Sequence, residues 1–204
     1  MTINFLSRAW VLSLVVMLSA CGNSPTNNYY LLSAHNFPAP VGDTPTIGVG
    51  PIKVPEYLNR DKLAYNQSDN ALHIAGLDLW AEPLENGIQR VLVLNLAGLL
   101  NTQDVSYFPW HPKRAPAYGV KINVLQLEST EQDAMLTAEW LVYRPESSQS
   151  VVRRISRLQA PLTPGTAAPQ QVAAAYSELM FQLSEIIAAA ITSDAGSAKP
   201  NAEP

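Results

Sequence analysis

Apolar residues recur at helical spacing in two stretches of the chain, and elsewhere they mostly alternate with polar ones. In "EPLENGIQRVLVLNLAGLL" the positions Leu84, Ile88, Val91, Leu92 and Leu99 share one side of a 3.6-residue period, which predicts an amphipathic helix ending near Asn101. Gly87 and Gly98 weaken that helix slightly. A second apolar stripe, Val172, Tyr176, Leu179, Met180, Leu183 and Ile187, predicts a helix over residues 169–191. Period-two patterning marks the strands. "GVKINVLQLEST" alternates through Val120, Ile122 and Val124, and "AMLTAEWLVYRP" puts Leu136, Ala138, Trp140 and Val142 on one face. "TEQD" between them reads as a hairpin turn, and "PESSQ" leads to a further strand in "SVVRRISRLQAPL". Upstream, residues 29–33 form a short strand and "TIGVGPIKV" a second, which Pro51 bends or confines to an edge. "KLAYNQ" and "ALHIAGLDLW" pair through the turn-prone "SDN", and "DVSYFPWHPKRAPAYG" is a short strand running into a proline-rich loop. The order predicts one α+β domain over residues 29–191, with two helices packed on a mainly antiparallel sheet. The polar tail 192–204 lacks apolar residues to pack and is expected to be disordered.

The first twenty residues depart from this pattern. Arg8 is their one charged side chain, and "AWVLSLVVMLSA" follows it, the layout of an export signal. The run is too short for a bilayer core, which takes about 20 residues. It ends on Leu18-Ser19-Ala20-Cys21, and Cys21 is the single cysteine of the chain. This stretch resembles the lipobox of bacterial lipoproteins, in which small residues precede an acylated cysteine. The resemblance implies cleavage between Ala20 and Cys21 and a thioether-linked diacylglycerol on the Cys21 thiol. Each buried methylene contributes about 0.8 kcal/mol, so two or three chains on one residue anchor durably where a single chain does not. Gly22 stands where an aspartate would favour inner-membrane retention, which points by resemblance to the outer membrane with the domain facing the periplasm. Residues 21–28 read as the lipidated Cys21 and the polar tether "GNSPTNN", which reaches roughly 25 Å at about 3.3 Å per residue.

Composition removes several classes of function. The chain has 204 residues and a formal charge of -4, and losing Arg8 with the first twenty residues takes the charge to -5. An acidic domain has no general attraction to nucleic acid or to an anionic membrane surface. A lone cysteine makes no internal disulfide.

Candidate chemistry is sparse. His35, His73 and His111 lie in different regions without ligands at metal spacing, and no nucleophile elbow is present, so no catalytic, cofactor or metal residue is assigned. "GVGP" reads as a bent strand. Asp78, Glu82 and Glu85 surround the start of the first helix, where carboxylates ordinarily complement the helix dipole. Two segments read as candidate interaction surface. The loop Phe108–Tyr118 combines Phe108 and Trp110 with Lys113, Arg114 and three prolines, and its aromatics either meet a partner or fold back over the sheet. In "RRISR", Arg153 and Arg157 fall on one strand face and Arg154 on the other; they read as a solvated face or as a site for lipid phosphate or acidic side chains.

Ordered stretches beyond the lipobox carry a wider resemblance. "YYLL", "VPEYLNRDKLAYNQSD", "LWAEPLENGIQRVLVLNL" and "AEWLV" together resemble the ABC-type transport auxiliary lipoproteins of the PqiC (YmbA) family. In these motifs Tyr57, Leu58 and Trp80 shape either the fold or a docking face. The resemblance implies a non-enzymatic part of an intermembrane lipid transport system. Its implied partners are a PqiB-like protein with mammalian-cell-entry (MCE) domains, forming a conduit across the periplasm, and a PqiA-like inner-membrane protein. This chain would be a homo-oligomeric collar receiving the conduit at the outer membrane. A regulatory lipoprotein acting on a cell-wall synthase is the alternative, for which seven tether residues are short.

Overall fold

Alternation is cleanest over Asp133–Arg144, where Ala134, Leu136, Ala138, Trp140 and Val142 are all buried while their neighbours stay half-exposed. That strand is the second-to-last member of a five-stranded sheet. The computed structural model describes residues 26–197 apart from 69–70, 131 and 163–167, so the export segment, Ala20 and Cys21 lie outside the described residues. In chain order the elements are β1 (Asn28–Tyr30), β2 (Ile47–Lys53), β3 (Lys62–Ser68), β4 (Ala71–Trp80), α1 (Leu84–Leu99), β5 (Val105–Tyr107), β6 (Tyr118–Ser129), β7 (Asp133–Arg144), β8 (Gln149–Pro161) and α2 (Pro169–Ser197).

The main sheet runs β5-β2-β6-β7-β8, and β1-β4-β3 form a smaller one. The expected α+β domain with two helices on a sheet is what the structure has, but the sheets are mixed. β2 lies parallel to both β5 and β6, and β1 lies parallel to β4, whereas β3–β4, β6–β7 and β7–β8 are antiparallel. The cause is connectivity. Parallel neighbours need a crossover, and α1 supplies it between β2 and β5. β5 and β6 then flank β2 on opposite sides and run in the same direction, so residues 108–117 must carry the chain back across β2. Helix α1 holds one face there, which leaves the loop the other.

Pro51 sits in an interior strand, and the bend takes up its missing N–H: the β2–β6 register shifts between Val49 and Ile52. Gly50 adopts φ 116° there, and a Cβ at that position would lie 2.8 Å from Phe108 Cβ.

Both predicted stripes face the core. Ile88, Val91 and Leu92 of α1 and Val172, Tyr176, Leu179, Met180, Leu183 and Ile187 of α2 are fully buried. α2 does not stop near Ile191, however, and the disorder expected from residue 192 is corrected as far as Ser197. The reason is tertiary. Asp194 accepts a hydrogen bond from Tyr118 Oη at 2.9 Å and pairs with Arg144, whose guanidinium also lies over the Tyr118 ring. These contacts hold a polar helical turn that has no apolar stripe of its own. Burial raises the Tyr118 phenol above its ordinary pKa, and the Asp194 bond adds to that.

The long connection before β2 is pinned by side chains from both helices. Ser33 N–H donates to Ser177 Oγ at 3.0 Å, His35 N–H donates to Asn95 Oδ1 at 3.0 Å, and Arg90 donates to the Leu32 carbonyl at 2.9 Å. Asn95 is fully buried, and its role explains a polar residue within the apolar stripe of α1.

Candidate functional site

The residues opposite the core stripe of β7 mark the face that neither α1 nor α2 covers. Register places them in rows across the strands. Lys121, Leu141 and Arg153 form one row; Asn123, Glu139 and Ile155 form the next, with Lys53 of β2 beside Asn123. Gln126, Thr137 and Arg157 form a third. Arg153, Arg157 and Lys121 are exposed, and Ile155 is 66% exposed in the middle of an edge strand. A shallow cavity of ≈ 310 Å³ opens on this face, lined by Lys53, Lys121, Asn123, Glu139, Leu141 and Arg153 among others.

Two glycines shape one end of the face. Gly48 and Gly119 pair in register between β2 and β6. A Cβ on Gly48 would fall 2.4 Å from the Trp110 ring, and one on Gly119 would fall 2.5 Å from the Tyr143 ring. Each aromatic ring therefore lies directly against bare backbone. Phe108 meets Trp110 edge-on with centroids 5.4 Å apart, and Lys121 Nζ stands 4.6 Å from the Tyr143 centroid, a cation–π contact. Burial raises the Tyr143 phenol above its ordinary pKa.

The candidate residues separate on this frame. Trp110, with Phe108 against it, and Arg153 with Arg157 fall on the uncovered side but at different places, the aromatics by Gly48 of β2 and the arginines on the edge strand β8. Trp110 folds back over the sheet, while Phe108 remains 42% exposed. Arg154 pairs with Trp140 in register and stands on the helix side, as the alternation predicted, at a separate groove beside Asp194. Leu58 (4% exposed) and Trp80 (7%) belong to the core, with the Trp80 ring stacked on Tyr176 at 6.4 Å. They serve the fold and are removed from the docking candidates, because a contact face cannot be built from side chains already enclosed. Tyr57 is half-buried, and its Oη accepts the Leu127 N–H at 3.2 Å beside the irregularity in β6. Burial raises its pKa, against the lowering effect of that bond.

Two of the three carboxylates around the start of α1, Asp78 and Glu82, have structural partners. Asp78 accepts hydrogen bonds from Asn28 Nδ2 and Tyr30 Oη at 3.0 and 3.1 Å, and Glu82 pairs with Arg90. His35 stacks on Phe181 at 3.5 Å and meets Glu178 at 3.1 Å. Among the described residues no group of three or more His, Cys, Asp or Glu side chains could hold a metal.

Lys53, Lys121 and Glu139 escaped the reading of the chain as site residues. Each shows as a polar position between apolar ones, a signal that assigns a face but not the strand lying alongside.

The fold and this face define a two-layer α+β domain that leaves part of its main sheet clear of both helices. Its family follows from comparison with known proteins. Residues 29–188 match the family described as ABC-type transport auxiliary lipoprotein component, and the chain belongs to that family. It is 31% identical over 96 residues to the intermembrane transport lipoprotein PqiC of Escherichia coli K12; the match covers 44% of this chain and 51% of PqiC, so it spans about half the length of that relative. The same figures hold for PqiC of Shigella flexneri. Among solved structures, an uncharacterized protein superposes with a TM-score of 0.67 at 23% identity, covering 82% of this chain and 99% of the other. Protein XCC0632 from Xanthomonas campestris gives 0.67 at 14% identity, covering 84% and 99%. At these identities the two structures speak for the fold. Among the described residues no helix is long and apolar enough to cross a membrane.

Proposed function

We propose that this lipoprotein is a non-enzymatic component of a PqiABC-like intermembrane lipid transport system. Acyl chains on Cys21, with the signal cleaved after Ala20, hold it in the outer membrane, and its domain faces the periplasm on the short tether. There it receives the end of a conduit built by a PqiB-like MCE protein, with a PqiA-like protein in the inner membrane, and acts as a homo-oligomer. The observation that carries this reading is the family match across residues 29–188, supported by the similarity to PqiC. The uncovered face is the surface available for the work: Phe108 and Trp110 at one end, Arg153 and Arg157 along the edge strand β8. Partly exposed aromatics and exposed arginines of this kind are side chains that anchor interfaces.

Purification of the lipidated chain from detergent-solubilised envelopes tests the proposal. An MCE-domain protein should co-purify, and Cys21→Ala should remove the chain from the outer-membrane fraction. Recovery of a cell-wall synthase in place of the MCE protein would favour the regulatory alternative and overturn the proposal.

A further inference from the structure

The cavity on the uncovered face gathers positive charge in a protein whose net charge is negative. Lys53 comes from β2, Lys121 from β6 and Arg153 from β8, and all three line the same ≈ 310 Å³ space. Arg153 has a partner, the Glu139 carboxylate, at 3.6 Å. Lys53 and Lys121 have no ion pair among the described residues. Like charges drawn together on one surface repel, and the Tyr143 ring that Lys121 stands over carries no net charge to neutralise them. Glu139 compensates one of the three cations.

We infer that this cavity binds a phosphate group, and that its natural ligand is the headgroup phosphate of a membrane phospholipid. The chemistry of the lining fits. Lysine ammonium groups and an arginine fork are the donors that phosphate oxygens accept from most strongly, and the Asn123 amide adds a neutral donor. Cross-strand spacing fits as well. Lys121 and Arg153 lie two strands apart, about 10 Å between backbones, with Leu141 between them. Lys121 rests over Tyr143 and Arg153 reaches Glu139, and both exposed side chains are long enough to swing from these contacts to one small anion. The surroundings are apolar: Pro51 and Leu141 line the cavity, and the 66%-exposed Ile155 stands in register with Glu139. A lipid's glycerol and upper acyl carbons would lie against these residues, whereas an acidic peptide would call for cations spaced along a strand rather than gathered at one point. Only the source of the phosphate rests on the transport reading; the site itself rests on the cations.

Calorimetric titration of the purified lipidated chain in non-ionic detergent tests the inference, with dihexanoyl-phosphatidylglycerol, inorganic phosphate and a polyglutamate peptide as probes. Phosphatidylglycerol should bind, more weakly as salt rises. Lys53→Ser with Lys121→Ser should weaken it by about tenfold or more, and Lys→Arg at the same positions should restore much of the loss. Both side chains reach solvent, and an unchanged melting temperature verifies that the variant is folded. Binding of phosphatidylglycerol with or without inorganic phosphate, lost in the serine variant, upholds the site. Binding of inorganic phosphate alone would overturn the lipid assignment. Binding of the peptide alone, or lipid binding indifferent to both lysines, would overturn the site. No MCE protein enters this experiment, so its failure leaves co-purification of the conduit intact, and the converse also holds.

Discussion

Leu136 and Thr137 are neighbours on one strand, yet they belong to different surfaces of the molecule. The first faces α2, and every second residue of β7 on that side is enclosed. The second shares the opposite side with Glu139, Leu141 and Tyr143, where neither helix lies and the loop 108–117 crosses β2. The helix-covered side is a packed interior of Leu, Val, Ile, Ala and Trp, and two of its polar groups have defined partners: Trp140 Nε1 donates to Ser156 Oγ at 2.9 Å, and Asn95 holds the backbone of His35. The uncovered side mixes lysine, arginine, glutamate and isolated apolar residues. A sheet with one finished face and one unfinished face separates stability from function, and substitutions should register on one account or the other.

The largest expected effect is on the covered side. Trp140→Ala removes a fully buried indole and leaves Ser156 without its donor, and should destabilise the domain by about 3–5 kcal/mol in denaturant unfolding. A loss below 1 kcal/mol would mean that this face is not packed as described. Next come the glycines, which are the points where the uncovered side does bear on stability. Gly119→Ala drives a methyl group into the Tyr143 ring and should cost about 1–3 kcal/mol, and Gly48→Ala should act similarly through Trp110. If both are neutral in a thermal melt, the rings do not rest on the sheet.

The tyrosines give an expected pH dependence. Burial raises the Tyr176 phenol well above its ordinary value of 10, and its hydroxyl donates to the Ala64 carbonyl at 3.3 Å. Above pH 10 the unfolded chain releases that proton while the folded one keeps it. Stability is therefore fully present below pH 10 and is lost as pH climbs past it. Tyr176→Phe should flatten the fall in melting temperature between pH 9 and 11 (pH values chosen about the ordinary tyrosine pKa), at a loss of about 1 kcal/mol near neutrality from the missing bond. The smallest effect belongs to the exposed strand: Ile155→Ser should change stability by no more than about 0.5 kcal/mol. A large loss there would show that a partner or second copy already covers the face in solution.

How much of this was legible beforehand depends on the range of the forces involved. Helical and alternating periods report which side of an element meets the core, so both helix stripes and the inward faces of β6 and β7 emerge from single segments. Leu58 and Trp80 were ambiguous for the opposite reason: an apolar side chain looks the same on paper whether it closes a core or waits for a partner. The last turns of α2 were misread because their support comes from Tyr118 and Arg144, far away in the chain. The lysines of the cavity went unremarked as a group because nothing local links them.

From the sequence alone come the elements, the α+β class, the expected lipid anchor at Cys21 and the membership hinted at by "VPEYL" and "LWAEPL". Those follow from side-chain period, turn chemistry and ordered motifs, which act over a few residues at a time. Tertiary structure alone decided that β2 enters between β5 and β6, that the loop 108–117 crosses the uncovered face, and that Lys53, Lys121 and Arg153 line one cavity. Period two fixes which face a side chain takes, but strand order and register fix its neighbours, and those are set by crossovers and core packing among segments that the chain keeps far apart.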